Sequence, residues 1–107
     1  MYLIEKAEKF ANRISLENDN DVLTYGQLLE QSQSLASGLL KDKDDLEGNR
    51  IISLLPPSFD YVVLQWAVWR AGGIFVPLSD QLPIDDLRFL IEDIEPSTII
   101  VENGSLD

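Results

Sequence analysis

Three short apolar runs at a regular spacing constrain the fold of this chain more than any other feature of its sequence. The runs begin at residues 51, 74 and 98, and Pro56-Pro57 and Pro77 stop the first two. Within each run the apolar residues follow one another without polar alternation, as in strands that are buried on both faces. A strand–helix–strand–helix–strand order at this period predicts two right-handed crossovers and a parallel sheet.

The two segments between these runs contain residues that typically start and end helices. Ser58 is placed to cap a helix from Phe59 to Ala71, and Gly72-Gly73 ends that helix because glycine adopts a left-handed backbone most easily. Pro83, a favoured first helical residue, opens the next helix. This second helix is predicted to turn five apolar residues inward: Ile84, Leu87, Leu90, Ile91 and Ile94.

The first 47 residues predict a helix–hairpin–helix lead-in to this unit. Apolar spacing indicates a helix over 3–12, and two strand-like pieces, 14–16 and 22–23, flank an Asn/Asp-rich turn at 17–21. Thr24 and Gln27 have the spacing of a capping box that starts a helix reaching about Lys41. We therefore predict a three-layer α/β fold, with the lead-in over 1–47 and a βαβαβ unit with a parallel sheet over 48–107. A final turn is predicted at Asn103-Gly104-Ser105.

The helix predicted from Phe59 to Ala71 lacks a continuous polar stripe. A helix that is apolar almost all round is normally interior to a large protein. The sequence therefore predicts that this helix is covered by mass outside these residues, either more of the same protein or a partner protein. A second copy of the chain, in a homo-oligomer formed through exposed apolar surface, would also cover this helix. The alternative is that Trp66 and Trp69 pack against neighbouring helices of this same unit.

Charge and composition exclude several classes of function. The chain has 8 Lys+Arg and 19 Asp+Glu, a net charge of −11, which argues against a nucleic acid or an anionic membrane surface as a partner. It has no histidine and no cysteine, so it offers no histidine base, no thiolate nucleophile and no cysteine-type zinc site. The longest apolar stretch, 61–69, is far shorter than the roughly 20 residues of a membrane span. Because the N-terminal residues lack the pattern of a signal peptide, the cytoplasm is the expected compartment.

Hydroxyl and carboxylate side chains are the candidates for catalysis or metal binding. Thr24 and Ser58 occupy helix-cap positions, and no histidine is present to activate either hydroxyl. The acidic loop 42–45 has part of the spacing of a calcium loop, but Leu46 replaces a ligand and Glu47 replaces the loop glycine. Five further acids could form a magnesium or acid–base cluster: Asp85, Asp86, Glu92, Asp93 and Glu95. For the first four, the polar side of an amphipathic helix is the better explanation. We therefore assign no catalytic residue and no metal ligand.

The cations and a glycine pair are the candidates for binding an anionic substrate. Lys41 and Lys43 lie at a helix C-terminus, where positive charge complements the helix dipole. Arg50 and Arg70 are expected to pair with nearby carboxylates at strand and helix ends. Gly72-Gly73 follows a helix and does not open one, so backbone geometry explains the pair better than phosphate binding does. We therefore assign no cofactor-binding residue.

Three short motifs, taken in their order and separation, resemble a known family. They are Leu23-Thr24-Tyr25-Gly26-Gln27-Leu28, Gly48-Asn49-Arg50-Ile51, and the run from Arg70 to Leu78 that contains Gly72-Gly73. Together they resemble the N-terminal subdomain of the AMP-forming synthetases, which include acyl-CoA synthetases, peptide-synthetase adenylation domains and luciferases. The likeness covers almost the whole chain and is closest to malonyl-CoA-synthetase-like members. Many relatives have Gly-Asp-Arg where this chain has Gly48-Asn49-Arg50.

The resemblance implies that the chain is a partial N-terminal, AMP-binding domain of an adenylate-forming enzyme. In that family a carboxylate attacks the α-phosphorus of ATP, and a thiol, usually that of coenzyme A, then displaces AMP. ATP, Mg²⁺ and CoA are thus implied for the full-length enzyme, together with a place in fatty acid metabolism. The family's phosphate loop and catalytic lysine lie downstream of the region seen here. The chain alone is therefore expected to be inert, and the remainder of the synthetase is its expected partner.

Two other functions stay open on the sequence. One is a free-standing acidic interaction or regulatory module without enzyme activity. The other is a flavodoxin- or receiver-like signalling domain, which shares the size, the acidity and the βαβαβ order. A receiver should have an acidic pair after its first parallel strand, where this chain has Pro56-Pro57-Ser58, and this difference disfavours the receiver.

Overall fold

The computed structural model describes residues 2–18 and 20–102, and within these ranges it contains every helix and strand that the sequence predicts. In chain order they are α1 (Tyr2–Lys9), β1 (Ile14–Glu17), β2 (Val22–Thr24), α2 (Tyr25–Leu40), β3 (Arg50–Ser53), α3 (Phe59–Arg70), β4 (Ile74–Pro77), α4 (Ile84–Ile94) and β5 (Thr98–Ile100). The largest shift is at α1, which was predicted over 3–12. The predicted turn at Asn103-Gly104-Ser105 and Asp19 of the hairpin turn lie outside the described residues.

The five strands form two separate sheets. Strands β1 and β2 pair antiparallel, and the Asn18 side chain closes their turn by accepting hydrogen bonds from the N–H groups of Asn20 (2.9 Å) and Asp21 (2.7 Å). Strands β4, β3 and β5 form a parallel sheet in that order, with Ile52 in register with Val76 and Ile99. The predicted hairpin and the predicted parallel sheet are both confirmed.

The central strand β3 is covered on both faces, which gives the molecule three layers. Ile51 and Ile52 are 1% and 0% exposed, and successive residues of a strand point to opposite faces. Ile51 belongs to a core cluster with residues of α2 and α3. In the order β4-β3-β5, the first connection runs from the central strand to one edge, and the second runs back past the central strand to the other edge. Because both connections are right-handed, α4 lies on the face of the sheet opposite α3, towards Ile52. The predicted three-layer α/β fold is therefore confirmed.

Helix α3 is covered twice by this chain itself. On one side Leu64, Ala67 and Val68 pack in the cluster that contains Ile51 of the sheet. On the other side a second cluster joins α3 to α1, the hairpin and α2, and in it Trp66 is only 7% exposed. The expectation that external mass must cover this helix is thus wrong for Trp66. The reason is that α2 lies along α3 and, with α1 and the hairpin, supplies the second apolar layer.

Exposed apolar surface remains at Trp69 near the end of α3 and on α4. Trp69 is 39% exposed, whereas Phe89 and Ile84 of α4 are 68% and 70% exposed. Ile84 was predicted to face inward, and this is wrong because it opens the helix at the end of the apolar stripe, after Pro83 at the N-cap. The four later positions predicted to face inward are half-buried: Leu87, Leu90, Ile91 and Ile94. Within the described ranges, no helix combines the length and the apolar character that crossing a membrane requires.

Candidate functional site

The carboxyl edge of the parallel sheet is the expected ligand-binding edge, because ligands of open α/β sheets bind outside the carboxyl ends of the strands. The chain leaves β3 through 54–58, β4 through 78–83 and β5 through 101–102. None of these three segments contains a lysine or an arginine. Asp80 and Glu102 lie in these segments and Asp60 lies in the first turn of α3, just after the first segment; all three are on the protein surface.

The hydroxyl groups at this edge are engaged in local turns. The Ser53 hydroxyl accepts a hydrogen bond from the N–H of Leu55 (3.3 Å), and the Ser79 hydroxyl accepts one from the N–H of Gln81 (3.1 Å). An apolar groove beside β5, lined by Leu35, Leu55, Val63 and Ile100, is flanked by Asp60 and Glu102. An edge with carboxylates and no cationic side chain repels phosphate, so these segments do not complement the triphosphate of a nucleotide.

The two candidate hydroxyl nucleophiles are helix caps, as predicted. Thr24 and Gln27 form a complete capping box: the Gln27 N–H donates to the Thr24 hydroxyl at 3.1 Å, and the Thr24 N–H donates to the Gln27 side chain at 2.9 Å. The Ser58 hydroxyl accepts from the N–H of Tyr61 (3.1 Å) and donates to the carbonyl of Pro56 (2.9 Å). Both hydroxyls satisfy backbone groups that a helix end leaves unpaired, which stabilises α2 and α3.

The acidic candidates lie apart on the surface. Asp85 and Asp86 occupy the exposed first turn of α4, near the positive end of its dipole, and Glu92 and Asp93 are exposed near its other end. Glu95 is the left-handed C-cap of the same helix. Across residues 2–18 and 20–102, no three acids are grouped so that they could hold a metal ion. The prediction that the acids of α4 form a solvated polar side is confirmed for the first four.

The two arginines donate to neutral oxygens, so the expectation of carboxylate partners is wrong for both. Arg50 Nη1 donates to the carbonyl of Ile94 at 2.9 Å, because β3 brings it to the C-terminal end of α4, where carbonyls lack helical partners. Arg70 Nη1 donates to the carbonyl of Leu29 (2.8 Å) and to the hydroxyl of Ser32 (2.9 Å). Arg50 therefore ties α4 to the sheet, and Arg70 ties α3 to α2.

Backbone geometry requires glycine at position 72, as predicted, and close packing, which was not predicted, favours glycine at both positions of the pair. Gly72 has φ +83°, and a β-carbon there would lie 2.6 Å from Oδ2 and 2.7 Å from Cγ of Asp45. A β-carbon on Gly73 would lie 2.9 Å from Cδ1 of Leu46. The loop 45–49 packs on this turn through backbone hydrogen bonds, among them Leu46 N–H to Ala71 carbonyl (2.8 Å) and Gly48 N–H to Gly72 carbonyl (2.9 Å). The loop 45–49, which begins at the last residue of the acidic loop 42–45, thus supports the glycine turn.

A feature that sequence reasoning missed is a hollow of about 390 Å³ beside α1, which we call the Phe10 hollow. Its lining includes Leu3, Lys6, Phe10, Arg13, Ile14 and Tyr25. The Arg13 guanidinium lies 4.4 Å from the centre of the Phe10 ring, and the Lys6 ammonium lies 5.8 Å from it. The signal in the sequence was the presence of three of the eight cations, Lys6, Lys9 and Arg13, within eight consecutive residues.

Comparisons with known proteins place the chain among its relatives. The family model described as AMP-binding enzyme matches residues 3–107. The chain is 33% identical over 106 residues to the mitochondrial malonate–CoA ligase ACSF3 of Mus musculus, a match that covers 95% of this chain and 18% of that ligase. The solved structure of VinN with 3-methylaspartate matches with a TM-score of 0.83 at 30% identity, over 94% of this chain and 28% of that one. The N-terminal subdomain of Klebsiella oxytoca NpsA with anthranilyl-AMSN, 19% identical, shares the fold, with a TM-score of 0.86 over 99% of this chain and 28% of that one.

Proposed function

The chain belongs to the AMP-binding enzyme family, and from that premise we propose that it forms an N-terminal part of the large domain of an ATP-dependent, AMP-forming acid–thiol ligase. The observation that supports this most is the match in sequence and fold over nearly the whole chain. The same chain spans less than a fifth of the malonate–CoA ligase that it resembles. The activity therefore belongs to a larger protein, of which these residues are one part.

The proposed reaction of that protein has two steps. A carboxylate attacks the α-phosphorus of ATP, which gives an acyl-adenylate and releases pyrophosphate, and the thiol of coenzyme A then displaces AMP to give a thioester. Coenzyme A is the proposed acceptor, and malonate is the first acid to test, because the mouse relative is named a malonate–CoA ligase. ATP, Mg²⁺ and CoA are bound, in this proposal, by parts of the enzyme outside these residues.

The role we propose for this chain is structural support, without catalysis of its own. Its cap hydroxyls and both tethering arginines are occupied by backbone carbonyls, backbone N–H groups or a buried serine. The carboxyl edge of its sheet has acidic side chains and no cation, so it does not complement a triphosphate. The residues instead hold three layers together, and the glycine turn and the arginine tethers fix how those layers meet.

Pyrophosphate exchange with ATP tests this proposal. We expect the complete product of the reading frame to catalyse exchange with at least one acid of a panel containing malonate, acetate and a long-chain fatty acid, and to form a CoA thioester from that acid. The 107-residue chain, shown to be folded by circular dichroism, is expected to catalyse no exchange with any of them. Exchange by the chain alone would contradict its structural role. A complete product that is inactive with the whole panel would favour the acidic interaction module.

The cytoplasm is the compartment we propose, although the mouse relative is named as mitochondrial.

A further inference from the structure

The Phe10 hollow combines positive charge with exposed apolar surface in a strongly acidic protein. The chain carries 19 acids against 8 cations, yet the lining of this hollow includes Lys6 and Arg13 and contains no acid. Leu3 and Ile14, which also line it, are 38% and 54% exposed. Glu5 and Glu8 lie on the same helix but do not line the hollow. The side chains that line this hollow thus have the opposite charge to most of the ionisable groups of the protein.

The Phe10 ring lies close to both cations of the hollow. Both charged groups lie within cation–π distance of Phe10, and in the part of the chain the structure describes neither is paired with a carboxylate. Cations held over a ring lose less freedom when an anion arrives, because part of their motion is already restricted. The side chains are therefore placed to accept carboxylates from outside the described residues.

We propose that the Phe10 hollow docks an acidic segment of a partner protein, with carboxylates on Lys6 and Arg13 and apolar side chains against Leu3 and Ile14. Charge complementarity supports a protein segment over other anions. A net charge of −11 repels a long polyanion such as a nucleic acid and repels an anionic membrane. A short segment brings only a few carboxylates to the hollow, and its apolar residues cover surface that is otherwise in water.

A labelled peptide that alternates glutamate with leucine is the probe for this proposal. Its binding to the 107-residue chain is followed by fluorescence anisotropy, beside a peptide in which glutamine replaces every glutamate. The test variant is Lys6→Glu/Arg13→Glu. The matched control is Lys43→Glu/Arg88→Glu, which changes one lysine and one arginine at exposed positions outside the hollow and gives the same net charge. All of these side chains are exposed, so circular dichroism should show each variant folded.

We expect saturable binding of the glutamate peptide that weakens at high salt, at least about tenfold weaker binding to the hollow variant, and little change in the control. Equal loss in both variants would show that bulk charge acts alone and would overturn the proposal. Equal binding of the glutamine peptide, or no saturable binding by the native chain, would overturn it as well. Stronger binding to phosphatidylserine vesicles than to the peptide would assign the hollow to a membrane surface. Self-association abolished by the hollow variant, and not competed by the peptide, would assign it to a second copy of the chain.

Discussion

The turn at Gly72 supports a quantitative prediction, because two separate costs oppose any side chain there. The residue has φ +83°, a conformation that costs an L-residue roughly 1–2 kcal/mol. A β-carbon would also collide with the Asp45 carboxylate, which is exposed and would have to turn away and lose its hydrogen bond from the Glu47 N–H, at a cost of about 0.5–1.5 kcal/mol. We therefore expect Gly72→Ala to lower the free energy of unfolding by about 1.5–3.5 kcal/mol. This is a large share of the roughly 5–15 kcal/mol that stabilises a small domain.

Alanine substitutions at two other glycines of this chain separate the conformational cost from the cost of the collision. Gly48 has φ +74° but no heavy atom within 4 Å of a β-carbon, so Gly48→Ala should cost only the conformational part, about 1–2 kcal/mol. Gly38 lies in α2 without a positive φ and with open space around it, so Gly38→Ala should stabilise by about 0.5–1 kcal/mol. The expected order of stability is Gly38→Ala, native chain, Gly48→Ala and, last, Gly72→Ala. Urea unfolding, followed by circular dichroism and tested for two-state behaviour, measures all four.

A double-mutant cycle isolates the collision with Asp45. Asp45→Ala removes the atoms that a β-carbon on residue 72 would meet, so the cost of Gly72→Ala in that background should fall to the roughly 1–2 kcal/mol of the backbone alone. Asp45→Ala has a cost of its own, because its carboxylate accepts a hydrogen bond from the N–H of Glu47 (2.5 Å), and the cycle subtracts it. If Gly72→Ala costs the same in both backgrounds, or no more than Gly48→Ala does, the packing argument is refuted.

Two further predictions test the enclosure of α3 and its attachment to α2. With Trp66 buried and Trp69 39% exposed, the Trp69→Phe variant should emit at shorter wavelength and be quenched less by iodide than the Trp66→Phe variant; equal quenching would mean that the second apolar layer does not cover Trp66. Arg70→Met should lower the free energy of unfolding by about 1.5–3 kcal/mol, because it removes the charged donor to the buried Ser32 hydroxyl and a helix carbonyl. Arg88→Met, at an exposed position, should change it by less than about 0.5 kcal/mol, and a similar loss in both variants would contradict the tether.

Much of the fold could be predicted from the sequence, because its signals are local. The capping box at Thr24 and the cap at Ser58 depend on groups three residues apart. The parallel sheet follows from the spacing of three unalternated apolar runs, and the handedness of the crossovers follows from the chirality of the chain. The motifs led to the family that the comparisons then showed. The absence of histidine and cysteine bounds the chemistry without any structure.

Other features depend on which surfaces meet, and that is not a local property. The composition of α3 indicates burial on two sides, but only the tertiary structure shows that α1, the hairpin and α2 supply the second cover. The carbonyls that receive the Arg50 and Arg70 side chains lie more than forty positions away in sequence, at oxygens that a charge pattern does not reveal.

The kind and order of the elements, the direction of the strands and the lack of histidine and cysteine chemistry can all be derived from the amino-acid sequence without a structure. Only the packed fold shows that Trp66 is enclosed by this chain, that Asp45 packs against Gly72, and that Lys6 and Arg13 both lie near the Phe10 ring. The physical reason is the range of the forces involved. Turn geometry, capping and apolar periodicity act between near neighbours in the chain, whereas burial and charge placement are fixed only when distant segments pack.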